Sequence, residues 1–502
     1  MTPEAAAPND GSGRMPVDRS RLDRMLNPKT VVVVGEKGPG YQFLKSQLEY
    51  RGNLYSVQID EKEIPGIEEL GVTNVTSMDD VPGDIDLVIS AVPRQVAPFI
   101  TKQAVARGVA GVHFFTAGFA ETGDEQGLAL QEQILEMLRE DGMPAIGPNC
   151  MGIYNRTLGL RFHAAQDVGG DEQDGGALSI LSQSGTHGVN LTVGAQRAGV
   201  KVGRTISFGN ALIVSESDLL EYLRDDEGTK AIAIYLEGVR EGRRFFELLR
   251  ETTRRKPVVV WRGGESQAGA RAVRSHTGSL ASQQAIWDAM VRQAGAIPAG
   301  SLDDAVDAVA ALAHTNAPTG RRLGLITMTG GQSVAITDEF ERAGFTVPEL
   351  SASSYETLAG FYNVIGGSYR NPFDAGATLR ELENLGRLLE VVGADPAVDG
   401  GIAIDLNVRL FSDEPEQFVR MLDALERYRD SSGQPVIATL HILVATLQMT
   451  DHEEESREAV LARAREQVIA RGFAAFPDFR RAAAALGRVV DYHQRREGEG
   501  SA

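Results

Sequence analysis

The sequence holds one cysteine, Cys150, in 502 residues. A single thiol excludes an intrachain disulfide framework and an all-cysteine zinc site, and it is what a reducing cytoplasm leads one to expect. No segment offers the roughly 18 uninterrupted apolar residues that a membrane span needs. Cations are scarce as well: 50 Lys and Arg stand against 69 Asp and Glu, a net charge of −19. Nucleic-acid affinity rests on Lys and Arg neutralising phosphates, so this balance argues against such a partner, though it leaves room for a local basic pocket. The first 27 residues lack the apolar core of a signal peptide and read as a polar, partly disordered lead-in.

From residue 30 onward short β-branched runs alternate with helical stretches. "TVVVVG", "NLYSVQ", "DLVISAVP", "GVHFFTAG" and "PAIGPN" predict a parallel sheet covered by helices, a Rossmann-like domain over residues 28–160. After the Gly/Asp linker "GGDEQDGG", the runs "ALSILS", "RTISFG", "AIAIYLEG" and "PVVVWRGG" predict a second α/β domain over 175–315. A third follows over 320–496, with 497–502 expected to be a disordered tail. A repeat links the last two domains. "ILSQSGTHGVNLTVGAQRAGVKV" and "LITMTGGQSVAITDEFERAGFTV" share a strand, a hydroxyl–glycine pair, a helix and an Ala-Gly stop, with equal spacing from Gly185 to Gly199 and from Gly330 to Gly344. Duplication explains this better than coincidence.

Ser184, Gly185 and Thr186, and likewise Thr329, Gly330, Gly331 and Gln332, each open a helix after a buried strand. Free N–H groups, the helix dipole and hydroxyls suit such turns to a phosphate, while glycine for a tight turn is the plain structural alternative. The loop "RSHTGSLAS" carries His276 among small residues that cannot pack around an imidazole. Near two phosphate-holding turns it is a candidate nucleophile for a phosphoryl group. Glu237, at the carboxyl end of "IYLEG", is the acid best placed to hold its other ring nitrogen; it reads equally as a cap for the helix of residues 240–254. Cys150 offers a nucleophile's thiol but, with no base or cationic cluster near it in sequence, reads rather as small apolar filler; His187 is placed to touch a ligand but reads rather as an exposed residue in the first turn of its helix. His441, His452 and His493 have no metal-ligand spacing, so no metal site is assigned.

Together "GPNCMGIYN", "SQSGTHG", "SFGN", "IYLEGVREGRRFF", "KPVVV", "SHTGSLA", "TGGQSVAITDEFERAG" and "RNPFDAGA" resemble the NDP-forming acyl-CoA synthetases, the ADP-forming acetate–CoA ligase group related to the α subunit of succinyl-CoA synthetase. The resemblance runs from about residue 28 to 495 and implies a Rossmann-like CoA-binding domain followed by two flavodoxin-like ligase domains. It further implies that His276 is phosphorylated, that Glu237 steadies it, and that the turns at Ser184–Thr186 and Thr329–Gln332 cradle its phosphate. Coenzyme A would be bound through the first turn (Gly35, Gly38, Gly40), through Ser90, Val92 and Pro93, and through Thr116, Ala117 and Gly118. The chain departs from the family in four places. The first turn is short, "QIDEK" with Lys62 replaces an expected "NPK", Ile213 stands near a usual acid, and Trp261 or Arg262 replaces a usual lysine.

The reading that follows is an acid–thiol ligase subunit, making acyl-CoA from a carboxylic acid, CoA and ATP in the cytoplasm. A separate ATP-grasp β subunit is expected to hold ATP/ADP with Mg, giving a hetero-oligomer. A non-catalytic CoA- or acyl-CoA-binding regulatory protein is the alternative. An NAD(P)-dependent oxidoreductase is the third reading, disfavoured because "GEKGPG" lacks the Gly-x-Gly-x-x-Gly spacing.

Overall fold

The structure, a computed structural model, describes residues 17–163, 175–269, 271, 284–365, 367–407, 414–441 and 457–500. Two compact units divide the chain, one of residues 1–196 and 201–296, the other of 197–200 and 297–502.

The first unit contains two sheets. Strands β1 (Thr30–Val34), β2 (Asn53–Val57), β3 (Thr73–Val75), β4 (Leu87–Ser90), β5 (Gly111–Phe114) and β6 (Ala145–Ile146) form a parallel sheet in the order β3-β2-β1-β4-β5-β6. Strands β1, β4 and β5 are buried throughout, as strands covered on both faces must be. The order reverses between β1 and β4, the switch point where Rossmann-like sheets gather ligands.

In the second sheet, β7 (Gly152–Asn155), β8 (Leu178–Ser182), β9 (Val202–Ser207), β10 (Ala231–Leu236) and β11 (Val258–Arg262) lie in the order β11-β10-β8-β9-β7. Strand β7, unforeseen in the sequence, is an antiparallel edge paired with β9. Four residues at the exit of the first domain carry too little periodicity to announce a strand. The remaining order is that of a flavodoxin-like fold, with its switch point between β8 and β10.

The second unit opens with the short β12 (Ile297–Ala299). Its own sheet is β14-β13-β15-β16-β17, from β13 (Leu323–Thr327), β14 (Phe373–Asp374), β15 (Gly401–Asn407), β16 (Val436–His441) and β17 (Ala475–Phe476), all pairs parallel. This is again the flavodoxin-like order, with the switch point between β13 and β15. The helix Leu302–His314 packs on the helix Phe479–Gly500 through Ala311, Leu486 and Val490, and Arg481 is bidentate to buried Asp307.

Two expectations about the ends need correction. Within the expected lead-in, Asp18 caps a helix Arg19–Leu26 whose Leu22, Met25 and Leu26 are buried in the core of the first unit. Spacing of i, i+3 and i+4 puts the three on one face, a signal too short to stand out among charged neighbours. Arg21 completes the docking, reaching the Val109 carbonyl at 2.6 Å and Asp141 at 2.6 Å. At the other end, the final helix continues to Gly500 through positions expected to be disordered. Extending a nucleated helix adds one bond for each residue fixed, so polar residues follow cheaply.

Among the described residues no helix is long and apolar enough to cross a membrane.

Candidate active site

The first switch point brings three of the expected CoA-binding segments together. Gly35 follows β1 with φ +77°, and a Cβ there would collide with Val92 Cγ1. The Thr116 hydroxyl donates to the Val92 carbonyl at 2.5 Å. Gly118, at φ +103°, lies where a Cβ would come within 2.9 Å of the Arg94 side chain. Glycine is needed at both positions, for the left-handed backbone and for the close approach. Ser90 is fully buried inside the sheet, so it is part of the floor beneath these loops rather than their surface.

The first turn is not an open phosphate nest. Glu36, almost fully buried, accepts from the Phe43 and Leu44 amides at 2.6 and 2.7 Å, the N–H groups a helix would offer a phosphate. Burial raises its pKa, and those two bonds oppose the rise. Glu63 takes the Gly38 amide at 2.8 Å, and Glu121 takes those of Gly118 and Phe119 at 2.6 and 3.1 Å. Gly40 is exposed, with open space around it. Three carboxylates thus occupy amides in the loops that the resemblance assigns to CoA.

Glu121 also connects this loop to the second sheet. It accepts from Asn210 Nδ2 at 2.9 Å, and the Asn210 carbonyl accepts from Arg240 at 2.7 Å, three residues beyond Glu237. The "SFGN" segment therefore ties the CoA-side loop to the loop that carries the acid.

At the second switch point, β8 ends in Ser182 and a 13-residue helix starts at Gly185, as expected. The Ser184 hydroxyl accepts from the His187 amide at 3.4 Å, and a Cβ on Gly185 would stand 2.7 Å from Met151. The Gln183 side chain accepts at Oε1 from the Glu237 and Gly238 amides at 2.8 and 3.1 Å. Glu237 is 7% exposed, and Tyr235 donates to its Oε1 at 3.3 Å. The acid expected from sequence therefore does sit beside the Ser184–Thr186 turn.

His187 is where expectation fails. It is half-buried, its ring centroid 4.4 Å from Tyr235 and 4.6 Å from Trp261, which are 4.6 Å from each other. Its Nδ1 is buried with no hydrogen-bond partner among the described residues. Burial lowers its pKa, while the Glu237 charge acts the other way. Three rings from β8's helix, β10 and β11 meet only because the sheet places those strand ends side by side; adjacency in sequence gave no hint of it. Arg262, which with Trp261 stands where the resemblance leads one to expect a lysine, is buried and lies 5.2 Å above the Trp287 ring. Cys150 is buried with its thiol pKa pushed up by desolvation, which suits filler and not a nucleophile.

In the second unit the repeat holds. Thr329 caps a 13-residue helix from Gly330, accepting from the Gln332 amide at 3.4 Å, and Gly331 faces open space. His276, with its loop, lies outside the described residues. Among the described residues no group of three His, Cys, Asp or Glu side chains could hold a metal ion.

A family model described as a CoA binding domain matches residues 29–156, and a succinyl-CoA ligase like flavodoxin domain matches 175–312. The α subunit of ADP-forming acetate–CoA ligase II of Pyrococcus furiosus is 34% identical over 390 residues, 76% of this chain and 82% of that protein. The α subunit of ligase I from the same organism is 34% identical over 361 residues, 70% and 76% of the two chains. ADP-forming acetate–CoA ligase I of Archaeoglobus fulgidus is 32% identical over 383 residues, 75% of this chain but 54% of that longer protein. Among solved structures, a protein of Pyrococcus horikoshii OT3 superposes with a TM-score of 0.77 at 27% identity, covering 94% of this chain and 99% of that one. The apo dinucleotide-forming acetyl-coenzyme A synthetase 1 of Ca. Korarchaeum cryptofilum shares the fold, with a TM-score of 0.79 at 24% identity over 96% and 100% of the chains.

Proposed function

The chain belongs to the family of α subunits of ADP-forming acetate–CoA ligases, and we propose that it makes acyl-CoA from a carboxylic acid, CoA and ATP, with release of ADP and phosphate. The supporting observation is Glu237, buried at the second switch point beside the Ser184–Thr186 turn. A CoA-binding protein without ligase activity would have no use for that arrangement.

In the proposed sequence His276 accepts the γ-phosphoryl group of ATP through one ring nitrogen, and ADP leaves. Glu237 holds the proton on the other nitrogen and balances the positive charge that the ring gains on phosphorylation. The amides and hydroxyls of the Ser184–Thr186 turn would stabilise the phosphoryl oxygens, and the Thr329–Gln332 turn of the second unit offers a phosphoryl group the same kind of seat. The substrate carboxylate then takes the phosphoryl group, giving an acyl phosphate and free His276. CoA supplies the thiol that displaces phosphate from the acyl carbon.

Gly35, Val92, Pro93, Thr116, Ala117 and Gly118 would hold CoA at the first switch point, where the two glycines let neighbouring loops approach closely. Because Glu36 already occupies the Phe43 and Leu44 amides, CoA phosphates would meet exposed cations such as Lys37 instead. ATP and Mg would be held by an ATP-grasp β subunit, the relation that the two-chain relatives' names as α subunits suggest.

Mixing the chain with its cognate partner and γ-labelled ATP should place acid-labile label on this chain. His276→Ala should lose both label and turnover; full turnover in that variant would sink the reading. ATP hydrolysis by this chain alone would sink the assignment of ATP to a partner.

A further inference from the structure

Strand registers make two side chains equivalent across the repeat. In the first flavodoxin-like sheet Leu181 pairs with Ile234, one position before Tyr235; in the second, Ile326 pairs with Ile404, one position before Asp405. Leu181 and Ile326 each precede their helix-opening glycine, Gly185 and Gly330, by the same number of residues. Where the first unit sets a phenol beside its turn, the second therefore sets a carboxyl group. Asp405 stands at the switch point between β13 and β15 and is 3% exposed. A hydrogen bond links it to the backbone of Met328, the residue before the Thr329 cap. Its Oδ1 is buried with no hydrogen-bond partner among the described residues.

Asp405 is not the only acid at this turn. A Cβ on Gly330 would lie 3.0 Å from Asp374 Oδ2 on β14. Tyr362 donates to the Asp374 carbonyl at 2.7 Å, and burial keeps that phenol protonated. The nearest neighbours on β13 and β16, Thr327 and Thr439, carry no charge. A dianion entering beside Asp374 and a second carboxylate would be repelled by both. A neutral Asp405 would instead offer it an O–H donor, with an empty acceptor shell no longer at stake.

We propose that the Thr329–Gln332 turn binds a tetrahedral oxyanion, the phosphoryl group of the ligase cycle, together with one proton carried by Asp405, whose carboxylic acid hydrogen is donated to an anion oxygen. This rests on the reading of that turn as a phosphate site. No bond other than the O–H of Asp405 forms, and its proton comes from solvent. Desolvation lifts the Asp405 pKa to about 7 in the free chain, so uptake takes place near neutral pH. The anion raises it further. Binding is then proton-coupled above neutrality and indifferent to pH below it.

Sulfate is the probe, because it stays a dianion through this range and cannot itself take up the proton. Calorimetric titration of the full chain should show affinity falling about tenfold for each pH unit above neutrality, the slope of one linked proton. Asp405→Asn keeps a neutral donor of the same shape and should bind sulfate with no such slope. Infrared difference spectra on adding sulfate at pH above 7 should gain a carboxylic acid C=O band that Asp405→Asn lacks. A full slope in Asp405→Asn, or no such band in the wild type, overturns the role of Asp405 and leaves the phosphate turn standing. Thr329→Ala should abolish sulfate binding at every pH. Undiminished binding in that variant overturns the phosphate turn, and the proposal with it.

Discussion

The Tyr235 hydroxyl donates to Glu237 Oε1 at 3.3 Å, so the acid at the second switch point is oriented by a residue two positions before it on the same strand end. Burial and the neighbouring carboxylate raise the Tyr235 pKa, which keeps it a donor at all working pH values. A hydrogen bond to a charged group contributes about 1.5–3 kcal/mol. Tyr235→Phe should therefore slow labelling of His276 by about one to two orders of magnitude, with the ring packing retained. Rapid-quench labelling with the cognate partner reads the rate, and thermal unfolding reads the fold. An unchanged rate would mean that Glu237 is oriented without Tyr235.

Gly35→Ala should weaken CoA binding at least about tenfold while the sheet stays folded. A left-handed φ costs a residue with a Cβ about 1 kcal/mol, and the new methyl must also displace Val92 from the loop that receives Thr116. Calorimetry with CoA, against Gly71→Ala as a control at φ +78° with open space around it, separates collision from backbone strain. Equal affinity in the two variants would argue that Val92 does not shape the CoA site.

Acid should destabilise the first unit through His113. Its ring is fully buried, donates from Nε2 to the Cys150 carbonyl at 3.1 Å, and has its pKa lowered to about 4 by desolvation. The unfolded imidazole titrates near the usual value of about 6.5, so between the two values the unfolded chain binds more protons. Stability present above pH ~6.5 is lost as pH falls toward the folded pKa, by about 3 kcal/mol in all. Urea unfolding as a function of pH measures this. His113→Gln should lower stability overall but flatten the slope in that window, and an unchanged slope would assign acid sensitivity elsewhere.

Met25→Ala should destabilise the first unit by about 2–5 kcal/mol, the usual cost of emptying a buried site of this size. Met25 is fully buried, and its side chain packs so closely on β5 that a Cβ at Gly111 would collide with it. Denaturant unfolding gives the value. A loss well under 1 kcal/mol would mean that the helix Arg19–Leu26 is only loosely docked on the first unit.

Much of the fold was legible because buried parallel strands write themselves as β-branched runs. "TVVVV" and "LSILS" each become a fully buried strand, and the hydroxyl–glycine pairs after β8 and β13 both open helices. Strands β3 and β7 escaped, being short and half-polar or antiparallel, and the helix Arg19–Leu26 was hidden by its charged face. At the site, Glu237 was legible from its place at a strand end, because such ends collect ligands in any open α/β sheet. His187 was misread as exposed, since nothing local reveals that Tyr235 and Trp261 close over it.

The sequence by itself determined the α/β class, the duplicated turns and the family, because each depends on residue types at fixed spacing along one strand–turn–helix unit. Only the tertiary structure decided which groups meet. Three aromatic rings converging beside Glu237, and Asp405 standing where the first repeat has Tyr235, follow from strand order and register. Backbone pairing in a sheet sets side chains from distant segments about 5 Å apart, and no local pattern of residues encodes which segments those are.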